Sequence, residues 1–157
     1  MRDRTREAVD AVVQLLDVRN AFAFLPHVRV VDGKLTPPLT MCNAYASAFC
    51  AALGVRLPVT LKANKQVAWL ASDEGKAAGW MVVDKETARQ RAIGGFPTVV
   101  GWVNPTGGSG HIAMVIPPPA GLEAELWVSA AGRTNFSRDR LRASFGDVAP
   151  LVFSTHD

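Results

Sequence analysis

Residues 41 to 54 read Met41-Cys42-Asn43-Ala44-Tyr45-Ala46-Ser47-Ala48-Phe49-Cys50-Ala51-Ala52-Leu53-Gly54. The alanines, with Phe49 and Leu53 interleaved, predict a helix from Asn43 to Leu53. Gly54 supplies the residue type that favours a left-handed helix terminus. Cys42 therefore stands at the helix start, where unpaired backbone N–H groups and the positive end of the helix dipole favour thiolate over thiol. Cys50 sits mid-helix in an apolar run and reads as a small buried hydrophobe. The two thiols are eight residues apart, roughly 12 Å along a helix, so they cannot bridge to each other. Free thiols fit a reducing compartment at the time of synthesis.

Working outward, residues 5 to 17 place Val9, Val12, Val13 and Leu16 on one stripe, an opening amphipathic helix. Pro26, Gly33, Pro37 and Pro38 break residues 21 to 40, leaving at most a short strand near Val28 to Val31. Residues 64 to 71 predict a third helix. A fourth spans 84 to 93, opened by Asp84 as N-cap and closed by Gly94-Gly95. The grammar then changes to short runs rich in Val, Ile, Trp and Phe, separated by Pro/Gly loops: 96 to 103, 111 to 116, 125 to 130 and 150 to 153. Helices first and antiparallel strands after define the α+β class, with N-terminal helices packed on an antiparallel sheet. No repeat or linker divides the chain, and 1 to 157 reads as one domain.

Composition narrows the function classes. The chain has 48% hydrophobic residues, enough for a core without metal or disulfide support. The net charge of +3, from 17 basic and 14 acidic residues, is too mild to imply nucleic acid. The basic residues are scattered, and the densest patch, 133 to 142, reads as solvated surface. The charged opening Met1-Arg2-Asp3-Arg4 is not followed by an apolar segment, and no run of 18 apolar residues occurs, so neither a signal peptide nor a membrane span is expected.

The partner for Cys42 is expected in Gly107-Gly108-Ser109-Gly110-His111-Ile112-Ala113-Met114-Val115-Ile116. A glycine-rich loop there delivers an imidazole to the first residue of a strand, which holds the ring while leaving room for substrate backbone. His27 and His156 sit in an irregular segment and at the chain end. A helix N-terminal Cys followed 69 positions later (42 to 111) by a strand-opening His is the order of papain-like cysteine hydrolases.

Together with Ala130-Ala131-Gly132-Arg133-Thr134-Asn135-Phe136, these segments resemble the NlpC/P60 and CHAP group of the papain-like superfamily, which includes phage endolysin domains. The resemblance spans roughly residues 38 to 140. It implies a papain-like fold and cleavage of an amide bond in the peptide stem of peptidoglycan, by endopeptidase or N-acetylmuramoyl-L-alanine amidase action. Cys42 would attack, His111 would carry the proton, and neither metal nor organic cofactor would be needed. With no signal peptide expected, the chain would be made in the cytoplasm and, as a wall hydrolase, would act on the wall after release or delivery.

The group uses a third polar residue to orient the imidazole. If 116 and 125 flank a hairpin centred near 120, His111 lies opposite Ser129, the expected orienting residue, with Asn135 in reserve. Asn43 or a loop amide is the candidate second oxyanion donor beside the Cys42 N–H, and Trp102 a candidate cleft-lining residue. Two alternatives stay open: a papain-like amidase, acyltransferase or toxin effector acting on a protein or small molecule, and a non-catalytic wall-binding relative.

Overall fold

The computed structural model describes residues 4–157; Met1-Arg2-Asp3, on which part of the leader reading rests, lies outside the described residues. Helix α1 (Arg6–Leu16) is capped by Thr5, whose hydroxyl accepts from the Ala8 N–H, and buries Val9, Val12 and Val13 as its stripe requires. A 3-10 turn (Phe22–Phe24) and a two-stranded hairpin, β1 (Val30–Val31) and β2 (Lys34–Leu35), follow.

Helix α2 (Cys42–Ala52) begins one residue earlier than expected, with Cys42 as its first residue. Then come α3 (Ala63–Ala71), α4 (Asp73–Ala77), β3 (Trp80–Val83) and α5 (Lys85–Ile93). Asp84 caps α5 by accepting from the Thr87 N–H at 2.8 Å, as its position predicts. The remaining elements are β4 (Thr98–Trp102), β5 (His111–Ile116), β6 (Trp127–Ala130), β7 (Phe136–Arg140), α6 (Leu141–Phe145) and β8 (Val152–His156). The class is mixed α+β, with six α-helices among the described residues. Helix α4 and strands β3 and β7 are additions to the sequence reading, as is α6.

The main sheet has the order β3-β8-β4-β5-β6-β7, every pair antiparallel. Side-chain alternation along β5 divides the core. Ile112, Met114 and Ile116 face α1, α2 and α3 and join Cys42, Tyr45, Phe49, Val67 and Trp80. Ala113 and Val115 face the other way, toward α5 and α6, with Val100, Val128, Ala88, Ala92 and Phe145. Helices thus cover both faces, not one.

Of the basic patch, Arg138 pairs with Asp10, Arg140 with Glu125 and Arg142 with Asp147. Much of its field is locally cancelled, as a solvated surface requires. No described helix is long and apolar enough to cross a membrane.

Candidate active site

Cys42 sits at the head of α2, where Met41 provides no side-chain cap. The first-turn N–H groups are therefore left for other acceptors. Around the sulfur, the backbone N–H of Ile112 on β5, the Thr40 hydroxyl and the backbone N–H groups of Asn43 and of Cys42 itself favour the thiolate. All four contacts pull the thiol pKa down. Burial pushes harder in the other direction, with Cys42 only 4% exposed, so the net shift is upward from the ordinary thiol value. The expectation of a depressed, reactive thiolate in the resting protein is overturned, because water is withdrawn from the sulfur faster than amides replace it. Both cysteines are free; Cys50 is 0% exposed and lies against the Met114 sulfur at 3.9 Å.

His111 opens β5 as expected, partly buried, on the sheet face opposite Cys42. Its ring packs on Phe145 with centroids 4.7 Å apart, and Nε2 is 2.8 Å from Ser144 Oγ. Desolvation alone holds the imidazole down at about 4, so it is neutral at pH 7. Among the described residues, Nε2 is the ring nitrogen that finds a hydrogen-bond partner.

The thiol and imidazole do not bond to each other directly. The nearest link between them is Ile112, the residue after His111, whose backbone N–H is one of the groups acting on the sulfur. The imidazole itself lies on the other face of β5, against Phe145 and Ser144, so the resting structure does not bring the two side chains together.

Ser129 is not the orienting residue. The observed register is Met114 opposite Ser129, three places from the expected one, and the β5–β6 ladder ends before His111. Ser129 is 0% exposed on the α2 face; its oxygen lies 2.5 Å from the Tyr45 hydroxyl and its O–H donates to the Phe136 carbonyl. Beside the ring lies Gly132, where a Cβ would approach His111 Cε1 to 3.5 Å. The hydroxyl that meets the imidazole is Ser144, on the short helix that sequence reading missed.

Asn43 turns its side-chain amide to the Leu61 carbonyl at 3.0 Å rather than toward the sulfur. Asn135 accepts from the Gly132 N–H at 2.9 Å and donates to the carbonyls of Val18 and Phe24 at 2.7 and 2.9 Å, tying the N-terminal segment to the β6–β7 turn. Its polar atoms serve that tether. Trp102 pairs with His111 across the β4–β5 ladder and shares its face, packing beside the imidazole against the Phe145 cluster. Of the six expected site residues, His111 and Trp102 share one face at the head of β5 and Cys42 lies on the other, while Ser129, Asn43 and Asn135 brace the surroundings.

A concavity of about 670 Å³ lies at α5 and α6, lined among others by Arg89 and Arg142, and one of about 550 Å³ runs along the outer face of α2, lined by Ala44 and Leu57. Neither is lined by Cys42 or His111. Among the described residues, no group of three His, Cys, Asp or Glu side chains could hold a metal ion. Comparison of the chain with protein-family models and with curated proteins finds no match to either.

Proposed function

We propose that this protein is a papain-like cysteine hydrolase that cleaves an amide bond in the stem peptide of peptidoglycan. What supports the reading is a free thiol at the head of α2 and a histidine at the head of β5, whose Nε2 is engaged by Ser144. If Nε2–H donates to Ser144 Oγ, the lone pair sits on Nδ1. Once the head of β5 shifts so that the ring reaches Cys42, Nδ1 takes the thiol proton as Cys42 attacks the carbonyl carbon, and returns it to the leaving amine as the tetrahedral intermediate collapses to a thioester. Water, deprotonated by the same nitrogen, adds to the thioester and restores the thiol. The N–H groups of Cys42 and Asn43 at the head of α2 become oxyanion donors once they turn from the sulfur to the carbonyl oxygen.

Both groups are neutral at rest, so substrate has to displace the residues screening Cys42, Thr40 among them, before proton transfer. The peptide-stem substrate comes from the family resemblance; a thiol and an imidazole suit amide cleavage in general, that of a protein or small-molecule amide included.

The test compares the native chain with Cys42→Ala on purified sacculi, reading soluble new amines. Release by the native chain and none by Cys42→Ala is expected. Equal release by both removes Cys42 from the mechanism. The low exposure of Cys42 favours one other reading, a non-catalytic wall-binding module. That reading predicts equal sacculus binding by both proteins and no new amine from either.

A further inference from the structure

Two amides on α3 connect the thiol end of α2 to the loop in front of His111. Gln66, completely buried, donates to the Asn43 carbonyl at 3.2 Å, the Ser47 hydroxyl at 2.8 Å and the Pro58 carbonyl at 2.9 Å, which fixes α3 against the start of α2. Asn64, two residues earlier, faces the β4–β5 loop. Its Nδ2 donates to the Gly108 carbonyl at 2.9 Å and its Oδ1 accepts from the Asn104 N–H at 3.1 Å.

The loop is otherwise held by Asn104 alone. That side chain donates to the Ser109 carbonyl at 3.3 Å and accepts from the Thr106 N–H and hydroxyl at 3.0 and 2.8 Å. Gly110, the residue before His111, is pressed so close that a Cβ there would collide with Asn64 Oδ1 and with the Trp102 carbonyl oxygen. Glycines at 107, 108 and 110 give this loop little conformational preference of its own. Its path depends on what it is tied to.

We propose that Asn64 is a positioning residue: by bonding the loop at Asn104 and Gly108 and abutting Gly110, it fixes where β5 begins and so how His111 stands relative to Cys42. The proposal rests on reading Cys42 and His111 as a working pair. It adds to that reading a part that touches neither reacting group. Misplacing a catalytic group by about 1 Å costs up to about a hundredfold in rate, so freeing a glycine-rich loop one residue from the base has a large effect.

The test uses Asn64→Ala and Asn64→Asp in the full chain, with three readouts. These are hydrogen exchange at the Asn104 amide, NMR titration of the His111 imidazole, and kcat and KM on a soluble stem-peptide amide. In Asn64→Ala we expect faster exchange at Asn104 and a His111 midpoint displaced upward from about 4 toward 6.5 as the ring gains water. We also expect kcat to fall about tenfold or more with KM little changed. Asn64→Asp keeps the acceptor for Asn104 and should fall between.

A folded Asn64→Ala with an unmoved His111 midpoint overturns the proposal, whatever happens to kcat. If the native chain cleaves nothing yet the midpoint moves, the positioning role stands and the hydrolase reading falls. Should Asn64→Ala fail to fold, the Asn64→Asp titration decides by the same criterion.

Discussion

His111 is neutral in the folded protein down to about 4, whereas in an unfolded chain it titrates near 6.5. Between those values the unfolded chain binds a proton that the folded protein does not, so stability falls as pH drops from 6.5 toward 4 and is fully present above 6.5. The interval is about 2.5 pH units, and at about 1.36 kcal/mol per unit the loss attributable to this one ring is at most about 3 kcal/mol. The perturbation is His111→Gln, which keeps an amide near the Ser144 hydroxyl and cannot titrate. Urea unfolding of both proteins at steps from pH 4 to 7.5 gives the free energy difference at each pH. Terms from other groups cancel in that difference, including Glu86, which its Arg89 and Gln90 hydrogen bonds hold at about 2. The native chain should lose up to about 3 kcal/mol relative to His111→Gln between pH 6.5 and 4. Parallel curves would mean that the ring is hydrated and that the packing on Phe145 and Ser144 is wrong.

Ser144→Ala removes the hydrogen bond that holds the imidazole, so kcat on a stem-peptide amide should drop about tenfold or more, while the melting temperature shifts by a few degrees at most. Ser129→Ala should do the opposite: leaving the buried Tyr45 hydroxyl without a partner costs about 1–3 kcal/mol in urea unfolding, and kcat at a temperature where the protein is folded stays within about twofold. Asn135→Ala cuts three hydrogen bonds, each worth about 1 kcal/mol net, and loosens residues 18 to 24, so it should lower stability by about 2–3 kcal/mol. In native buffer the same variant should alkylate at Cys42 several times faster with iodoacetamide, read by peptide mass spectrometry.

The helices were legible where one face alone is buried or where a cap announces the start: the Val9, Val12 and Val13 stripe of α1 and the Asp84 cap of α5 are both in place. Strands β4, β5 and β6 were legible as β-branched and aromatic runs because they are buried on both faces. Strand β7 was not. Phe136-Ser137-Arg138-Asp139-Arg140 is polar because its arginines go to Asp10 and Glu125, contacts distant in sequence. Helix α6, at five residues, is too short to display a helical period. That omission hid Ser144, since a serine in Leu141-Arg142-Ala143-Ser144-Phe145 carries no mark of contact with a histidine 33 residues away.

The expected β5–β6 register failed because the connection is not a tight hairpin. Pro117-Pro118-Pro119 and a turn at Gly121 lengthen it, and Met114 comes opposite Ser129 in place of His111. Cys42 and His111 each emerge from their own segment, one at a helix head and one at a strand head. The burial that neutralises both, and the sheet that sets them on opposite faces, exist only in the folded protein.

The account stands most directly on whether the Cys42 sulfur carries the acyl group. A stem-peptide amide is mixed with the native chain and with Cys42→Ala, quenched in acid within one turnover, and digested for peptide mass spectrometry. The account predicts a thioester on the peptide containing Cys42 in the native chain, none on Cys50, and none in Cys42→Ala. Cleaved substrate with both thiols unmodified, or the same product from Cys42→Ala, would contradict it.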